Sequence, residues 1–168
     1  MPQISTIAQA AAATNRSPTP AQIAAGNYAK GRCEIHGLRV AIENPKGSIR
    51  SGVSKAGKTW SIKMRHHYGE FTQYTGRDGD PLDVFIGPDS SAMHVYVVNQ
   101  VNPDTGRFDE HKCLAHFADE AAAREGYLAS YTPGWKGLGG IKTFTIAEFK
   151  RWILSGDLTK RAADFFIA

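Results

Sequence analysis

Three carboxylates fall within six residues at Asp78-Gly79-Asp80-Pro81-Leu82-Asp83, directly ahead of the apolar run Val84-Phe85-Ile86, and no other stretch constrains the fold as strongly. Such a cluster repels itself unless a cation sits among the charges. Asp78 and Asp80 share a face if the chain is extended, Gly79 lets the backbone bend, and Pro81 restricts Asp80 to extended geometry. Asp83 then enters the following strand in a third direction. The pattern describes a turn feeding a strand, with oxygen ligands suited to a hard divalent ion that completes its shell with water and phosphate oxygens. Asp, Gly and Pro are also ordinary turn residues, so an isolated copy of the motif reads as a turn. An EF-hand loop does not fit, because Leu82, Asp83 and Asp89 occupy its fifth, sixth and twelfth positions.

The flanking periodicity extends this turn and strand into a domain. Leu38, Val40 and Ile42 alternate with polar neighbours, as do Trp60, Ile62 and Met64, which predicts two strands joined by a hairpin loop over 51–58. Further strands are predicted at 82–86 and 94–101, separated by Gly87-Pro88-Asp89. A strand over 107–116 returns after the turn Asn102-Pro103-Asp104-Thr105-Gly106. The Ala- and Glu-rich segment 119–131 reads as a helix. Thr145-Ile146-Ala147-Glu148 is a capping box, and the helix it opens turns Phe149, Trp152 and Ile153 to the core and stops near Gly156. Short strands first and helices last predict an α+β fold, a small antiparallel Greek-key (OB-like) β-barrel flanked by C-terminal helices. Residues 1–19 lack apolar periodicity and read as a mobile arm, 20–29 as a short helix, and 20–168 as one domain.

Composition removes several function classes. No apolar run approaches membrane length, and the N-terminal segment lacks a charged region followed by a continuous apolar one, so neither a span nor a signal peptide is expected. Cys33 and Cys113 have no metal spacing and fit the free thiols of a cytoplasmic protein. The glycines of 131–140 form neither a Walker A nor a dinucleotide motif, and that stretch reads as a loop able to close over a ligand. Charge is uneven. Up to Arg77 eleven Lys or Arg face three Glu, whereas beyond it nine basic residues face thirteen acidic ones, the division a site joining metal and phosphate requires.

Two more features accompany the carboxylates. Tyr68-Gly69 precede Asp78 by ten residues, and Asp104-Thr105-Gly106-Arg107-Phe108-Asp109-Glu110-His111-Lys112 follows the next strand. In these positions the chain resembles the soluble (family I) inorganic pyrophosphatases, Mg²⁺-dependent enzymes with a β-barrel core. They carry a Tyr-Gly pair ten residues before Asp-Gly-Asp-Pro-x-Asp and a later Asp-x-x-Gly-x-Asp-x-Lys. The match looks closest to shortened pyrophosphatase-like domains of phage and mobile-element proteins, and it covers about residues 43–136.

The resemblance implies that Asp78, Asp80 and Asp83 bind metal, with Asp80 orienting the attacking water, and that Asp104 and Asp109 add metal contacts, Glu110 being the rival for the second role. It matches Lys112 to a phosphate-binding lysine, Arg50 to another, Glu43 to an acidic metal-site residue, and Tyr131 with Lys136 to a pair holding the outgoing phosphate. Tyr68 joins Asp80 and Lys112 as a catalytic residue. The chain departs from the family pattern at Arg50-Ser51-Gly52, where a metal-site glutamate is missing, and in having no counterpart of the family's arginine about twelve residues before Tyr68, for which Lys58, Lys63 and Arg65 are the alternatives. The function so implied is Mg²⁺-dependent hydrolysis of pyrophosphate or a related phosphoanhydride, with homo-oligomer formation left open. Such chemistry needs charge neutralisation around a polyanion more than covalent catalysis. The alternative is a catalytically weakened binding module that engages nucleic acid or a host protein through the basic hairpin of Lys46, Arg50, Lys55, Lys58, Lys63 and Arg65, interleaved with Trp60 and His66-His67.

Overall fold

A computed structural model describes residues 4–54, 56–76 and 79–162. Among the described residues, nine strands and four helices follow in the order α1 (Ile7–Ala12), α2 (Pro20–Ala25), β1 (Gly31–Ile35), β2 (Leu38–Asn44), β3 (Ile49–Val53), β4 (Thr59–Lys63), β5 (His67–Thr75), β6 (Pro81–Ile86), β7 (His94–Val101), β8 (Phe108–Ala115), α3 (Glu120–Leu128), β9 (Leu138–Thr145) and α4 (Ile146–Ser155). The mixed α+β composition agrees with the sequence pattern. Seven strands form one sheet in the order β1-β2-β5-β6-β8-β7-β9, while β3 and β4 pair separately as a two-stranded ribbon.

Two details differ from the antiparallel barrel expected from sequence. The seven-stranded sheet has β1 and β9 at its edges, and among the described residues they do not pair to close it. It is also mixed, because β6 and β8 run parallel. The seven residues between β6 and β7 leave room for β7 to cross over and lie on the far side of β8, which a two-residue turn would not allow.

Alternation along the central strands builds a core on each face. Leu82, Val84 and Ile86 of β6, Val95 and Val97 of β7, and Cys113 and Ala115 of β8 pack with Phe149, Trp152 and Ile153 of α4. The intervening Phe85, Tyr96, Val98 and Leu114 pack on the other side with Tyr68 and with Ala123 and Tyr127 of α3. Adjacent residues point to opposite faces of a strand, so one apolar run serves two cores. Helix α4 starts as expected, the Thr145 hydroxyl accepting from the Glu148 N–H while the Glu148 carboxylate accepts from the Thr145 N–H.

The loop expected over 51–58 contains most of β3, which pairs with β4 through Arg50↔Ile62 and Gly52↔Trp60. Ser51 and Gly52 carry no strand signal, but a Cβ on Gly52 would stand 2.7 Å from the Trp60 ring, so this strand is shaped by the indole laid over it. Within 1–19, Thr6 caps α1 and its Ala10 and Ala11 are buried against the first core. Close approach makes this possible, since a Cβ on Gly31 would overlap the Ala10 carbonyl oxygen. Residues 138–140 of the expected loop begin β9.

Candidate active site

Four neighbouring strands place a row of ionisable groups on one face of the sheet. Glu70 of β5 lies opposite Asp83 of β6, and Asp83 lies opposite Lys112 of β8. Tyr68, two residues before Glu70, projects to the same face. Glu43 reaches it from β2 through a β-bulge: Ile42 faces Gly69 and Asn44 faces Tyr68, so Glu43 is the extra residue, and bulges re-aim side chains in this way. The motif glycine has a steric reason as well, because a Cβ on Gly69 would come within 2.1 Å of the Ala41 carbonyl oxygen.

Glu43, Glu70 and Asp83 each offer a carboxylate oxygen within 4.8 Å of the others, and all three are partly buried. Burial, and after it the Glu70 and Asp83 charges, push the Glu43 carboxyl up to about 7. An unaccompanied trio therefore holds part of a proton at neutral pH, where a divalent cation would satisfy it instead. Oxygen-only donors at this spacing fit a hard ion such as Mg²⁺ or Ca²⁺ rather than a soft one.

Beside the trio stands a buried cation. Lys112 is 4% exposed, and its Nζ donates to Asp83 Oδ2 at 2.5 Å and to Tyr68 Oη at 3.0 Å and pairs with Glu110 Oε1 at 2.8 Å. Desolvation alone would lower its pKa, but the bond to Tyr68 Oη and the Asp83 and Glu110 carboxylates reverse the sign and hold the ammonium charged. The buried Tyr68 phenol is raised well above its ordinary range, chiefly by desolvation, and stays neutral. Arg50 reaches in from the β3–β4 ribbon, its guanidinium 4.6 Å from the centre of the Tyr68 ring and 5.2 Å from that of Trp60. The basic hairpin thus turns its arginine toward the carboxylates, while Lys58, Lys63 and Arg65 are exposed.

The structure gathers Glu43, Asp83, Lys112, Tyr68 and Arg50, and it sets Tyr131 at the border of the group, where its hydroxyl donates to Gln100 Oε1 at 2.8 Å. Asp78 lies outside the described residues. Asp80 is exposed at the head of β6, three residues before Asp83 and outside the trio. Asp104 is exposed in the β7–β8 turn, where its N–H donates to the Asn102 side chain. Asp109 is exposed, whereas its rival Glu110 is the one joined to Lys112. Lys136 is exposed in the loop before β9.

Sequence reading missed Glu70, since a lone glutamate two residues after Tyr68 carries no signature until its cross-strand partner Asp83 is known. It also missed Tyr28 and Lys30 ahead of β1. Burial, followed by the Glu43 and Glu70 charges, pushes the Tyr28 phenol up to about 12, and Lys30 Nζ lies 4.9 Å from the centre of the Tyr28 ring. Lys30 also acts on Glu43, lowering its pKa. Nothing in the local sequence connects residues 28 and 30 with residue 70. A surface groove of about 780 Å³ runs along the outer side of α3 and meets this cluster at Tyr131. Its exposed Glu120 and Arg124 pair with each other at 3.5 Å, as on a solvated helix face. No described helix is long and apolar enough to cross a membrane.

Among known proteins, residues 20–154 match the family model described as Inorganic Pyrophosphatase, which is most of the chain. No curated protein and no solved structure matches it.

Proposed function

The chain belongs to the inorganic pyrophosphatase family, and from that premise we propose that it hydrolyses inorganic pyrophosphate, or a closely related phosphoanhydride, with Mg²⁺ held by Glu43, Glu70 and Asp83. One observation carries the reading: carboxylates from three strands converge within 4.8 Å, beside a buried lysine and an inward-turned arginine. In this assignment Glu70 takes the place of the glutamate missing at Gly52. It arrives from β5 instead of β3 but supplies the same chemistry. When bound, the ion neutralises phosphate charge and acidifies water.

The chain's own groups do the rest. Arg50 offers a planar fork for two phosphate oxygens, and Lys112 supplies a point charge next to the trio. Asp80, at the head of the strand that carries Asp83, orients the attacking water and takes its proton. Water adds to one phosphorus, the bridging P–O bond breaks, and the second phosphate leaves with the bridging oxygen. Lys112, Tyr131 and Lys136 stabilise that leaving group. Glu110, the rival of Asp109 for a metal contact, is engaged by Lys112, which it shares with Asp83. Asp78 is assigned as a further oxygen ligand on the signature motif alone, and Asp104 and Asp109 are left as outlying acidic residues.

Phosphate release from pyrophosphate, with and without Mg²⁺, tests the proposal. Turnover is expected only with the metal, and Asp83→Asn should reduce it by about 10³-fold, the scale of losing one preorganised electrostatic group. Absence of metal-dependent turnover on pyrophosphate and on other phosphoanhydrides would refute it.

A further inference from the structure

Asn99 and Gln100 are adjacent buried amides on β7, and the pleat sends them to opposite faces. Asn99 Oδ1 accepts from the Ala162 N–H at 2.8 Å, tying down the end of the described chain. Gln100 has a different set of partners. Its Oε1 accepts from Tyr127 Oη at 2.6 Å and Tyr131 Oη at 2.8 Å, and its Nε2 donates to Glu110 Oε1 at 3.1 Å. That glutamate oxygen also takes the Lys112 ammonium. At the other end, Trp135 Nε1 donates to Tyr127 Oη at 2.9 Å, and the Trp135 ring stacks on Tyr131 at 4.7 Å and 8°.

The donors and acceptors leave one consistent orientation for the amide. Two phenols approach its oxygen, so that oxygen uses both lone pairs, and a carboxylate faces its nitrogen. A flipped amide would direct N–H groups at the phenol donors and an oxygen at Glu110. The direction of bonding therefore runs from Trp135 through Tyr127 to Gln100, and from Gln100 to Glu110. Cross-linking of this kind fixes a carboxylate more firmly than packing can, and outer partners of a charged site commonly set its geometry.

We infer that Gln100 is a positioning residue: by donating to Glu110 it holds the Glu110–Lys112 pair in register with Asp83, and through Tyr127 and Tyr131 it ties the loop carrying Trp135 to that pair. The inference rests on the pyrophosphatase reading for its kinetic consequence but not for its spectroscopic one. Its alternative is a plain structural role, in which Gln100 does no more than satisfy two buried phenols.

Two variants separate these roles. Gln100→Leu removes all three bonds. Gln100→Glu keeps the acceptor for both phenols and replaces the donor facing Glu110 with an oxygen. Positioning predicts that both variants lose about 10- to 100-fold in kcat/KM for pyrophosphate; because Gln100→Glu sets a second carboxylate against Glu110, its melting temperature is measured first and kinetics are compared for the folded protein. A structural role predicts near wild-type kinetics for Gln100→Glu, and that result would overturn the inference. The second readout is the Trp135 indole N–H resonance, assigned by Trp135→Phe, with Trp152 in the opposite core as control. On titration with Mg²⁺ alone it should shift in the wild type and stay fixed in Gln100→Glu. An unresponsive Trp135 in the wild type, or an equal response in both proteins, would overturn the coupling. If the wild type turns over no phosphoanhydride, the functional proposal fails, and the Mg²⁺ titration still decides the role of Gln100.

Discussion

The two faces of the central sheet are made from the same strands and each carries an apolar core, but the α3 face also holds a cluster of partly buried charge. On one face Val84, Val97 and Cys113 are fully buried against α4, and burial of apolar area is their contribution. One residue away, Asp83 and Lys112 occupy the other face at the same level of the sheet, with Glu70 alongside. Carboxylates gathered there cost desolvation and mutual repulsion, which is visible in the raised pKa of Glu43. The comparison shows how a small domain separates its tasks: α4 and its face supply stability, and the α3 face tolerates an unfavourable charge arrangement that a cation and a polyanion can use.

Substitutions on the two faces should differ in how they respond to Mg²⁺. Trp152 is 1% exposed beneath Phe144 and Phe149, so Trp152→Ala should destabilise by about 3–5 kcal/mol. Chemical denaturation would measure this, and the turnover of the molecules that remain folded should be unchanged. Lys112→Met on the charged face removes one partner of a buried ion pair and should also cost about 3–5 kcal/mol without metal. Unlike Trp152→Ala, it should recover part of that loss when Mg²⁺ is added, because the stranded carboxylates gain another cation. Equal Mg²⁺ responses in the two variants would contradict the division of labour.

A smaller effect should have opposite signs with and without metal. Glu70→Gln removes a like charge from Glu43 and Asp83, so the metal-free protein should melt higher than the wild type. Its Mg²⁺ affinity should fall about 10- to 100-fold, measurable by calorimetry. Loss of stability in both conditions would mean that Glu70 has a structural role.

The pH dependence of the metal-free protein sharpens the same point. Glu43 is held up at about 7 in the folded chain, against 4.5 as its ordinary value. Between those values the folded state binds more protons than the unfolded state, so stability should decline as pH rises from about 4.5 to 7 and then level off. A thermal melt series should show this decline, and saturating Mg²⁺ should flatten it. The smallest expected change is Tyr131→Phe, which deletes one of two phenol donors to Gln100 and should cost about 1 kcal/mol.

Much of the architecture was legible in local patterns. The strand over 94–101 and the helix opened by Thr145 follow from alternation and from a capping box, interactions that close within a few residues. Lys112, Tyr68, Arg50, Asp83 and Glu43 were identifiable by motif spacing. Glu70 and Gln100 were not, because a lone glutamate or glutamine in a strand carries no chemical signature until its cross-strand partner is known. The β3 strand was hidden for a similar reason, its Ser51-Gly52 pair taking its conformation from Trp60.

By itself the sequence determined the mixed α+β class, the strands whose side chains alternate, and a signature of carboxylates that resembles that of the inorganic pyrophosphatases. Tertiary structure alone decided which carboxylates meet. Register across β2, β5, β6 and β8, with a bulge at Glu43, selects Glu43, Glu70 and Asp83 and joins Glu110 to Lys112, while Asp104 and Asp109 stay in solvent. The physical reason is the pleat: shifting a strand by one residue exchanges its two faces, and that choice is made by the neighbouring strands and the cores they bury.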